Sequence, residues 1–265
     1  SIDPCFPSKL ALAHVHNLLE KKHAQKAIDW IFFPMVDDMP SDLVGTLAAK
    51  SCPTVVGSVE TAKAAFVKEG DMFSRAGLRY VQPFLNLAEP ELASRQMFAE
   101  MKTLLSLGRD EHEQAMAAAY TALDGFTAEL RANAALTLQE IEREGRLGIV
   151  LLARPYHNDP GINHGILAEF QKLGYPVFTQ DSLPMDDETL ERVFGGDLRT
   201  GRISHPMDIS DVWKNSYSEN TSRKVWAAKF VARHPNLVAL ELSSFKCGHD
   251  GPIYATVQEI VECSG

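Results

Sequence analysis

Three cysteines of this 265-residue chain stand where thiolates could bind a metal. Cys5 and Cys247 each precede a predicted helix, whose amide dipoles favour a thiolate. Cys52 is followed by Pro53 at the start of a predicted strand and fits this pattern less well. Thiolates that converge from separate loops are soft ligands for zinc or an iron–sulfur cluster. Because no CxxC pair is present, ordinary buried cysteines are the alternative, and Cys263 reads as incidental.

The residues that follow Cys247 allow a second kind of chemistry. Gly248 and Gly251 let the backbone turn tightly and approach a ligand. His249 and Asp250 could orient each other beside the thiol. A Cys–His pair is the arrangement of a nucleophilic enzyme, so the sequence leaves a nucleophile open beside metal ligation.

A polar loop carries the other candidate binding residues, Arg154, His157, Asn163 and His164. Arg154 could bind a phosphate or carboxylate with both arms of its guanidinium, or it could pair with Asp159. Loops of this composition commonly hold themselves together through Asn and Asp turn bonds. Ligand binding and loop-fixing hydrogen bonds are therefore both open for these side chains.

The polar loop is positioned by a predicted strand–loop–helix–strand crossover. The apolar run at 147–153 is typical of a strand buried on both faces. A helix is expected from Ile162 to Leu173, and Tyr175 to Thr179 forms the next strand. Such a crossover is the unit of a parallel sheet. Ligands of open α/β sheets bind at the carboxyl edge of the strands, which is where this loop lies.

The elements after the crossover would bring Cys247 to the same edge. A long irregular loop is expected from Gly195 to Asp211, and a strand from Leu237 to Leu242 leads into the Cys247 turn. A helix from Glu219 to His234 separates them. Its basic residues would form a local basic face on an acidic protein: Arg223, Lys224, Lys229 and Arg233.

The chain before the crossover alternates predicted strands and helices, which is typical of a further α/β unit. Strands are expected at 27–36, 54–58 and 78–84, and helices at 8–22, 42–50, 59–68, 89–106 and 110–144, with Gly125 a candidate break in the last. We therefore predict an α/β protein with two Rossmann-like parallel-sheet lobes, 1–88 and 146–265, joined by a long helical connector at 89–145.

Composition limits the classes of function. The net charge of −9 and the pI of about 5.5 argue against a broad nucleic-acid-binding surface. No run of about 18 apolar residues could span a membrane, and the start shows no signal-peptide pattern. We expect a cytoplasmic protein with reduced thiols. No GxxxxGK[ST] or GxGxxG loop supplies a cradle for ATP phosphates.

Five segments together resemble a known family: RPYHNDPGINHGI (154–166), SENTSRKVWAAKF (218–230), SSFKCGHD (243–250), DPCFPSK (3–9) and SCP (51–53). They resemble the large activase-type proteins related to 2-hydroxyacyl-CoA dehydratases. The resemblance covers nearly the whole chain, and this region of those proteins is also similar to dehydratase subunits and double-cubane cluster proteins. The long motifs are specific to the family, whereas Cys-Pro alone is not.

The resemblance implies Rossmann-like domains and a cluster bound by three cysteines per subunit. Carried over by position, Cys5, Cys52 and Cys247 would bind a [4Fe-4S] or double-cubane cluster, which we expect to be lost from protein handled in air. The resemblance also implies an ATPase domain of the sugar-kinase, Hsp70 and actin type. We expect that domain to be N-terminal in the same full-length chain, because this sequence begins without Met. A homodimer is a further partner that we leave open.

The leading hypothesis is an electron-transfer module that accepts low-potential electrons in an ATP-driven system. Arg154, His157, Asn163 and His164 would line the cleft that holds the cluster. A cluster-free module that docks an ATPase or a dehydratase through the basic helix is the second hypothesis. A CoA- or nucleotide-binding domain that uses the Arg154 loop is the third.

Overall fold

The structure, a computed structural model, describes residues 5–244 and 247–263. The chain divides into two compact units. Unit 1 comprises Ser1–Pro40 and Ala49–Ala119, and unit 2 comprises Ser41–Ala48 and Tyr120–Gly265.

Unit 1 combines helices with two short parallel ribbons. Its helices are α1 (Phe6–His16), α2 (His23–Gln25), α3 (Pro53–Val67), α4 (Met72–Arg75), α5 (Pro90–Leu104) and the first part of α6 (Arg109–Glu144), with a π-helical segment, Asn17–Lys22, between α1 and α2. Its strands are β1 (Trp30–Phe32), β2 (Met35–Asp38), β3 (Arg79–Val81) and β4 (Phe84–Asn86). Strand β1 pairs with β3, and β2 pairs with β4.

Two prolines interrupt these ribbons at the same level. Pro34 separates β1 from β2, and Pro83 separates β3 from β4. Proline has no amide N–H and cannot donate to a strand ladder. The amides of Phe33 and Met35 carry the pairing across the gap by donating to the carbonyls of Val81 (2.9 Å) and Pro83 (2.8 Å). Each of the two strands predicted here is therefore split in two.

The predicted strand at 54–58 is wrong, because these residues form the first turns of α3. Their run of Thr and Val favours a strand. Val59 and Ala62, however, are buried three positions apart, which is helical spacing, and Pro53 suits the first turn of a helix. Burial of one helix face against the core of unit 1 outweighs the local preference.

Unit 2 is built on one parallel sheet. Besides the rest of α6, it contains β5 (Gly148–Leu152), α7 (Ile166–Lys172), β6 (Val177–Thr179), α8 (Asp187–Arg199), α9 (Glu219–Arg233), β7 (Leu237–Glu241) and α10 (Tyr254–Glu262), with 3-10 turns at Pro155–Asn158 and Gly251–Ile253. The strand order is β6-β5-β7, and both pairings are parallel. Every residue of β5 is buried. The predicted crossover is therefore confirmed, with the helix starting later than expected.

The predicted helix at 42–50 is wrong. Residues 41–48 belong to unit 2, where the amides of Val44 and Leu47 donate to the carbonyls of Met207 (3.1 Å) and Ser216 (2.7 Å). Gly45 has φ +77, a left-handed conformation that a helix does not use. The backbone thus takes its hydrogen-bond partners from a distant segment instead of from its own turns.

Two other expectations about helices change. The loop predicted from Gly195 begins later, because α8 continues to Arg199. Gly195 is buried in this helix, where its missing side chain leaves room for Glu191 and Arg199. Gly125 does not break α6, which is continuous from Arg109 to Glu144.

The mixture of helices and parallel strands confirms the α/β class. The sheets have two and three strands, fewer than the six of a complete Rossmann sheet. The finer assignment of two Rossmann-like lobes therefore stays a prediction. In the described ranges, no helix combines the length and the apolar character needed to cross a bilayer.

Candidate functional site

Arg154 stands at the carboxyl end of β5, where the sheet was expected to bind a ligand. Its side chain is buried, and all of its donor groups face protein acceptors. Nε and Nη2 lie 2.9 and 2.8 Å from Oδ1 of Asp250. Nη1 donates to Asn220 (3.0 Å), and Nη2 donates to Thr221 (2.9 Å). Arg154 therefore ties the end of β5 to the start of α9 and to the loop after β7, and the alternative pairing with Asp159 is wrong.

Asp250 is the fully buried centre of this network. Its Oδ2 accepts a hydrogen bond from Ser243 (2.5 Å), and Ser243 in turn accepts one from the hydroxyl of Tyr254 (2.6 Å). Lys224 Nζ lies 3.7 Å from the same oxygen. Burial alone would raise the pKa of Asp250, but the Ser243 hydrogen bond and the charges of Lys224 and Arg154 hold that pKa below its ordinary value.

The basic face predicted for α9 is wrong. Arg223, Lys224 and Lys229 are all buried. Lys224 pairs with Glu241 at 2.7 Å, and Lys229 pairs with Asp211 at 2.6 Å. A cation is stable in a protein interior only when a partner of this kind compensates its charge. These side chains do not form an exposed surface for an acidic partner or for phosphates, which removes the stated basis of the docking hypothesis.

The polar loop after Arg154 is held by its own side chains. Asn163 is buried; its amide donates to the carbonyl of His157 (2.9 Å), and its Oδ1 accepts from the amide of Gly165 (2.8 Å). Asp159 Oδ1 accepts from the amide of Gly161 at 2.8 Å. His164 is exposed and has φ +56. The loop-fixing role is thus visible for Asn163, while the binding roles of these residues stay predictions.

His157 differs from the rest of the loop. It is 7% exposed, and its ring lies 4.3 Å from that of Tyr156, centroid to centroid. Among the described residues, its Nδ1 has no hydrogen-bond partner. Burial lowers the pKa of His157, which favours the neutral imidazole. The buried Nδ1 of His157 therefore has unused hydrogen-bonding capacity.

Cys247 is half-buried in the turn that precedes α10. Its amide donates to the carbonyl of Ser244 (2.8 Å), and its carbonyl accepts from the amides of Asp250 (3.2 Å) and Gly251 (3.0 Å). The buried side chain of Asp250 anchors the same turn to Arg154. Both oxygens of Asp250 accept hydrogen bonds, from Arg154 and from Ser243, so this carboxylate has a structural role in the turn.

Cys5 and Cys52 occupy matching positions in unit 1. Each is the residue just before a helix, α1 or α3, with a proline in the first turn. The half-buried Cys52 therefore precedes a helix, contrary to the strand predicted from the sequence. The amide of Ser51 donates to the carbonyl of Asp37 (2.7 Å), which places Cys52 at the carboxyl end of β2.

Helices α1 and α3 pack against each other in unit 1. The ring of His16 at the end of α1 lies 6.3 Å from that of Phe66 near the end of α3. Helix α3 also packs against β2 and α4. Helices α1 and α3 each begin directly after a cysteine, Cys5 or Cys52.

The donor chemistry of the three cysteines fits an iron–sulfur cluster, because thiolates are the usual ligands of such clusters. None of them forms a disulfide, and each lies half-buried at a turn or a helix start. In residues 5–244 and 247–263, no three His, Cys, Asp or Glu side chains form a group that could hold a metal ion. The ligand set Cys5, Cys52 and Cys247 therefore stays a prediction.

Sequence reasoning missed the partners of Arg154. Asn220, Thr221 and Asp250 are 66, 67 and 96 residues away along the chain. The available signal was the parallel arrangement itself, since strands that follow one another in a sheet deliver their loops to one edge. The segments 218–230 and 243–250 both contribute to this network.

One comparison with known proteins gives a match. A family model described as "CoA enzyme activase uncharacterised domain" matches residues 1–183. The matched part includes Cys5, Cys52 and the polar loop, and it ends before Cys247. No curated protein and no solved structure matches the chain.

Proposed function

We propose, from the premise that this chain belongs to the CoA enzyme activase family, that it is an iron–sulfur electron-transfer module. Cys5, Cys52 and Cys247 would supply the thiolates. A bound [4Fe-4S] or double-cubane cluster supplies one-electron chemistry at low potential. The observation that carries the proposal is the placement of Cys5 and Cys52 at the amino ends of two helices packed side by side in unit 1.

The position of Cys5 and Cys52 at helix starts favours the thiolate form that binds a metal. A thiolate, and not a thiol, is the metal ligand. The unpaired amides and the dipole at a helix amino end stabilise negative charge. Helices α1 and α3 have 11 and 15 residues, so both are long enough to provide this field. Two thiolates from the starts of two helices that pack on each other would form the first part of the ligand set.

The Arg154–Asp250 network would position the third thiolate. Asp250 closes the turn that contains Cys247, through its amide, and is itself fixed by Arg154 and Ser243. Outer groups that orient a ligand commonly matter almost as much as the ligand. In this proposal Arg154 is a positioning residue. His157, with its unpaired Nδ1, would face the bound group, and Asn163 would shape the loop.

An ATPase domain of the sugar-kinase, Hsp70 and actin type would drive electrons to this module. We propose that it precedes this region in the same full-length chain. The acceptor would be a partner enzyme that acts on a CoA thioester, in keeping with the family description.

The test is iron content after preparation without oxygen. The chain is reconstituted with iron and sulfide, and iron is counted beside the visible absorption band. Cys5→Ser, Cys52→Ser and Cys247→Ser should each lower the iron content and the absorption band. Cys263→Ser, a change at an exposed thiol, is the matched control and should bind as the wild type does. An iron-free wild type under these conditions contradicts the proposal.

A further inference from the structure

A cavity of about 810 Å³ opens among α8, α9 and α10 of unit 2. This volume lies within the range of about 300–1,000 Å³ that is typical of small-molecule sites. The residues of α8 that line it include Arg192 and Arg199, α9 contributes Lys229 and Arg233, and Arg202 follows α8. The cavity is lined by none of the residues assigned to the cluster proposal.

The lining of the cavity is rich in cations although the protein is acidic. Five cationic side chains line it beside three acidic ones, Asp197, Asp211 and Glu259. Two of the cations, Arg192 and Arg199, also pair with the carboxylates of Glu142 and Glu191, which do not line the cavity. The whole chain carries −9. Binding of an anion therefore depends on which of these cations can leave their carboxylate partners.

The inner charges of the cavity are already paired. Lys229 Nζ lies 2.6 Å from Oδ1 of Asp211 and donates to the carbonyl of Asp208 at 2.6 Å. Arg233 binds Asp197 through Nε (2.8 Å) and Nη2 (2.6 Å). These pairs are largely buried and form a fixed floor.

The outer arginines are held loosely. Arg199 pairs with Glu191 at 2.6 Å, but these side chains are 71% and 60% exposed. An exposed pair of this kind contributes about 0–1 kcal/mol and exchanges readily for another anion. Arg202 is 57% exposed, and its nearest described carboxylates, Asp211 and Asp197, lie at 3.6 and 4.0 Å. Both guanidinium groups can therefore turn to a ligand at little cost.

The rest of the wall is apolar. Val193 of α8, Val212, Ala232 of α9 and Ile260 of α10 line the cavity beside the arginines. An inorganic anion would use only the charged rim. A ligand that also has an organic part would cover this apolar surface and gain from its burial.

We infer that this cavity binds a small organic phosphate of about nucleotide size. Arg199 and Arg202 contact the phosphate with their planar guanidinium forks, which match phosphate oxygens in pairs. The organic part rests on the apolar wall formed by α8, α9 and α10. The charged floor formed by the Lys229 and Arg233 pairs keeps its own partners.

Calorimetry on the full 265-residue chain tests this site with four probes: ADP, ribose 5-phosphate, pyrophosphate and adenosine. We expect ADP to bind most tightly, pyrophosphate and ribose 5-phosphate more weakly, and adenosine not at all. Binding should weaken as salt is raised, because exposed charges are screened. If ribose 5-phosphate equals ADP, the ligand is a sugar phosphate. Equal binding of adenosine and ADP, or binding of none of the four, overturns the inference.

Two variants locate the binding. Arg199→Gln combined with Arg202→Gln should weaken ADP binding at least tenfold. Arg143→Gln, on α6 and 76% exposed, is the matched control and should leave it unchanged. Circular dichroism checks that both proteins are folded. Equal affinity in the double variant and the wild type, or an equal loss in the control, overturns the inference.

Alkylation of Cys263 provides a second test of where ADP binds. This exposed thiol lines the cavity. Saturating ADP should slow its alkylation several-fold, as followed by mass spectrometry of the peptide. An unchanged rate at saturation contradicts the placement. The measurement needs no iron, so its failure is distinguishable from failure of the cluster proposal.

Discussion

Arg154 and Arg202 are the same residue type in the same unit, with opposite surroundings. Arg154 is 5% exposed and gives its donors to Asp250, Asn220 and Thr221. Arg202 is 57% exposed, with its nearest described carboxylates at 3.6 Å or more. A buried guanidinium has lost its water and depends on its partners, whereas an exposed one keeps its water and can accept a ligand. The charge of Arg154 is therefore used in structural ion pairing and hydrogen bonds, whereas the charge of Arg202 stays available for a ligand.

The largest expected effect follows from Arg154→Gln. This change leaves the buried carboxylate of Asp250 without its closest cation, and breaking a buried pair in this way costs about 3–5 kcal/mol. The free energy of unfolding in urea measures the loss.

A second substitution in the same network shows whether the loss of stability in Arg154→Gln comes from an unpaired charge or from lost packing. Asp250→Asn removes the carboxylate that Arg154→Gln leaves unpaired. The double variant should therefore lose less than the sum of the two single losses. Additive losses would show that the two groups do not depend on each other.

Gly148→Ala should have the next largest effect, because it disturbs the buried strand that carries Arg154. An added Cβ would lie 2.7 Å from Phe178 and 2.8 Å from Ile141, closer than carbon atoms can approach. Overpacking of this kind costs about 1–3 kcal/mol. Gly125→Ala, at an open position on α6, is the control and should not destabilise the protein. Thermal unfolding of the two variants distinguishes them.

The effect of His157 on the pH dependence of stability should be smaller than the effects of the substitutions above. Burial lowers the pKa of His157 below its ordinary value of 6.5, so the folded state favours neutral imidazole. Its contribution to stability is complete above pH 6.5 and is lost as the pH falls through the lowered pKa. His157→Gln should therefore reduce the fall in stability below pH 6.5, by at most about 1.4 kcal/mol per pH unit.

The control for this change is His164→Gln, since the His164 side chain is exposed. The remaining slope should come from His234 and His249, whose pKa values burial also lowers. A slope that is the same in His157→Gln and the wild type would contradict the buried, neutral state of His157.

Arg202→Gln should have the smallest effect on stability. Arg202 is exposed, and its ion pairs with Asp211 and Asp197 are long, at 3.6 and 4.0 Å, so its loss should change the free energy of unfolding by less than about 0.5 kcal/mol. The same substitution thus costs much at Arg154 and almost nothing at Arg202. A loss of several kcal/mol at Arg202 would mean that the rim, like the strand edge, is part of the folded framework.

Elements with a strong local pattern were predicted well. The apolar run of β5, Gly174 after α7 and the short β6 identified the crossover, whose parallel pairing joins Ile149 to Val177. The helical stretches that became α5 and α6 were also recognisable, because their apolar residues recur at helical spacing. Patterns of this kind lie within the chain segment that forms the element.

Elements whose partners are distant were predicted poorly. Residues 54–58 carry a strand-like composition, yet Val59 and Ala62 pack on the core of unit 1 as one helix face. Residues 42–50 resemble a helix, yet Val44 and Leu47 hydrogen-bond to a segment more than 150 residues away. In both places long-range packing outweighed the local preference.

From the amino-acid sequence alone came the α/β class, the turn that carries Arg154 and the position of Cys5 just before a helix. These depend on neighbours along the chain. Only the tertiary structure decided that Arg154 and Lys224 are buried while Arg199 and Arg202 are exposed, and that Cys52 begins a helix. The physical reason is that burial depends on how the helices and strands pack. An arginine or lysine looks the same in the sequence whether its side chain is buried or exposed.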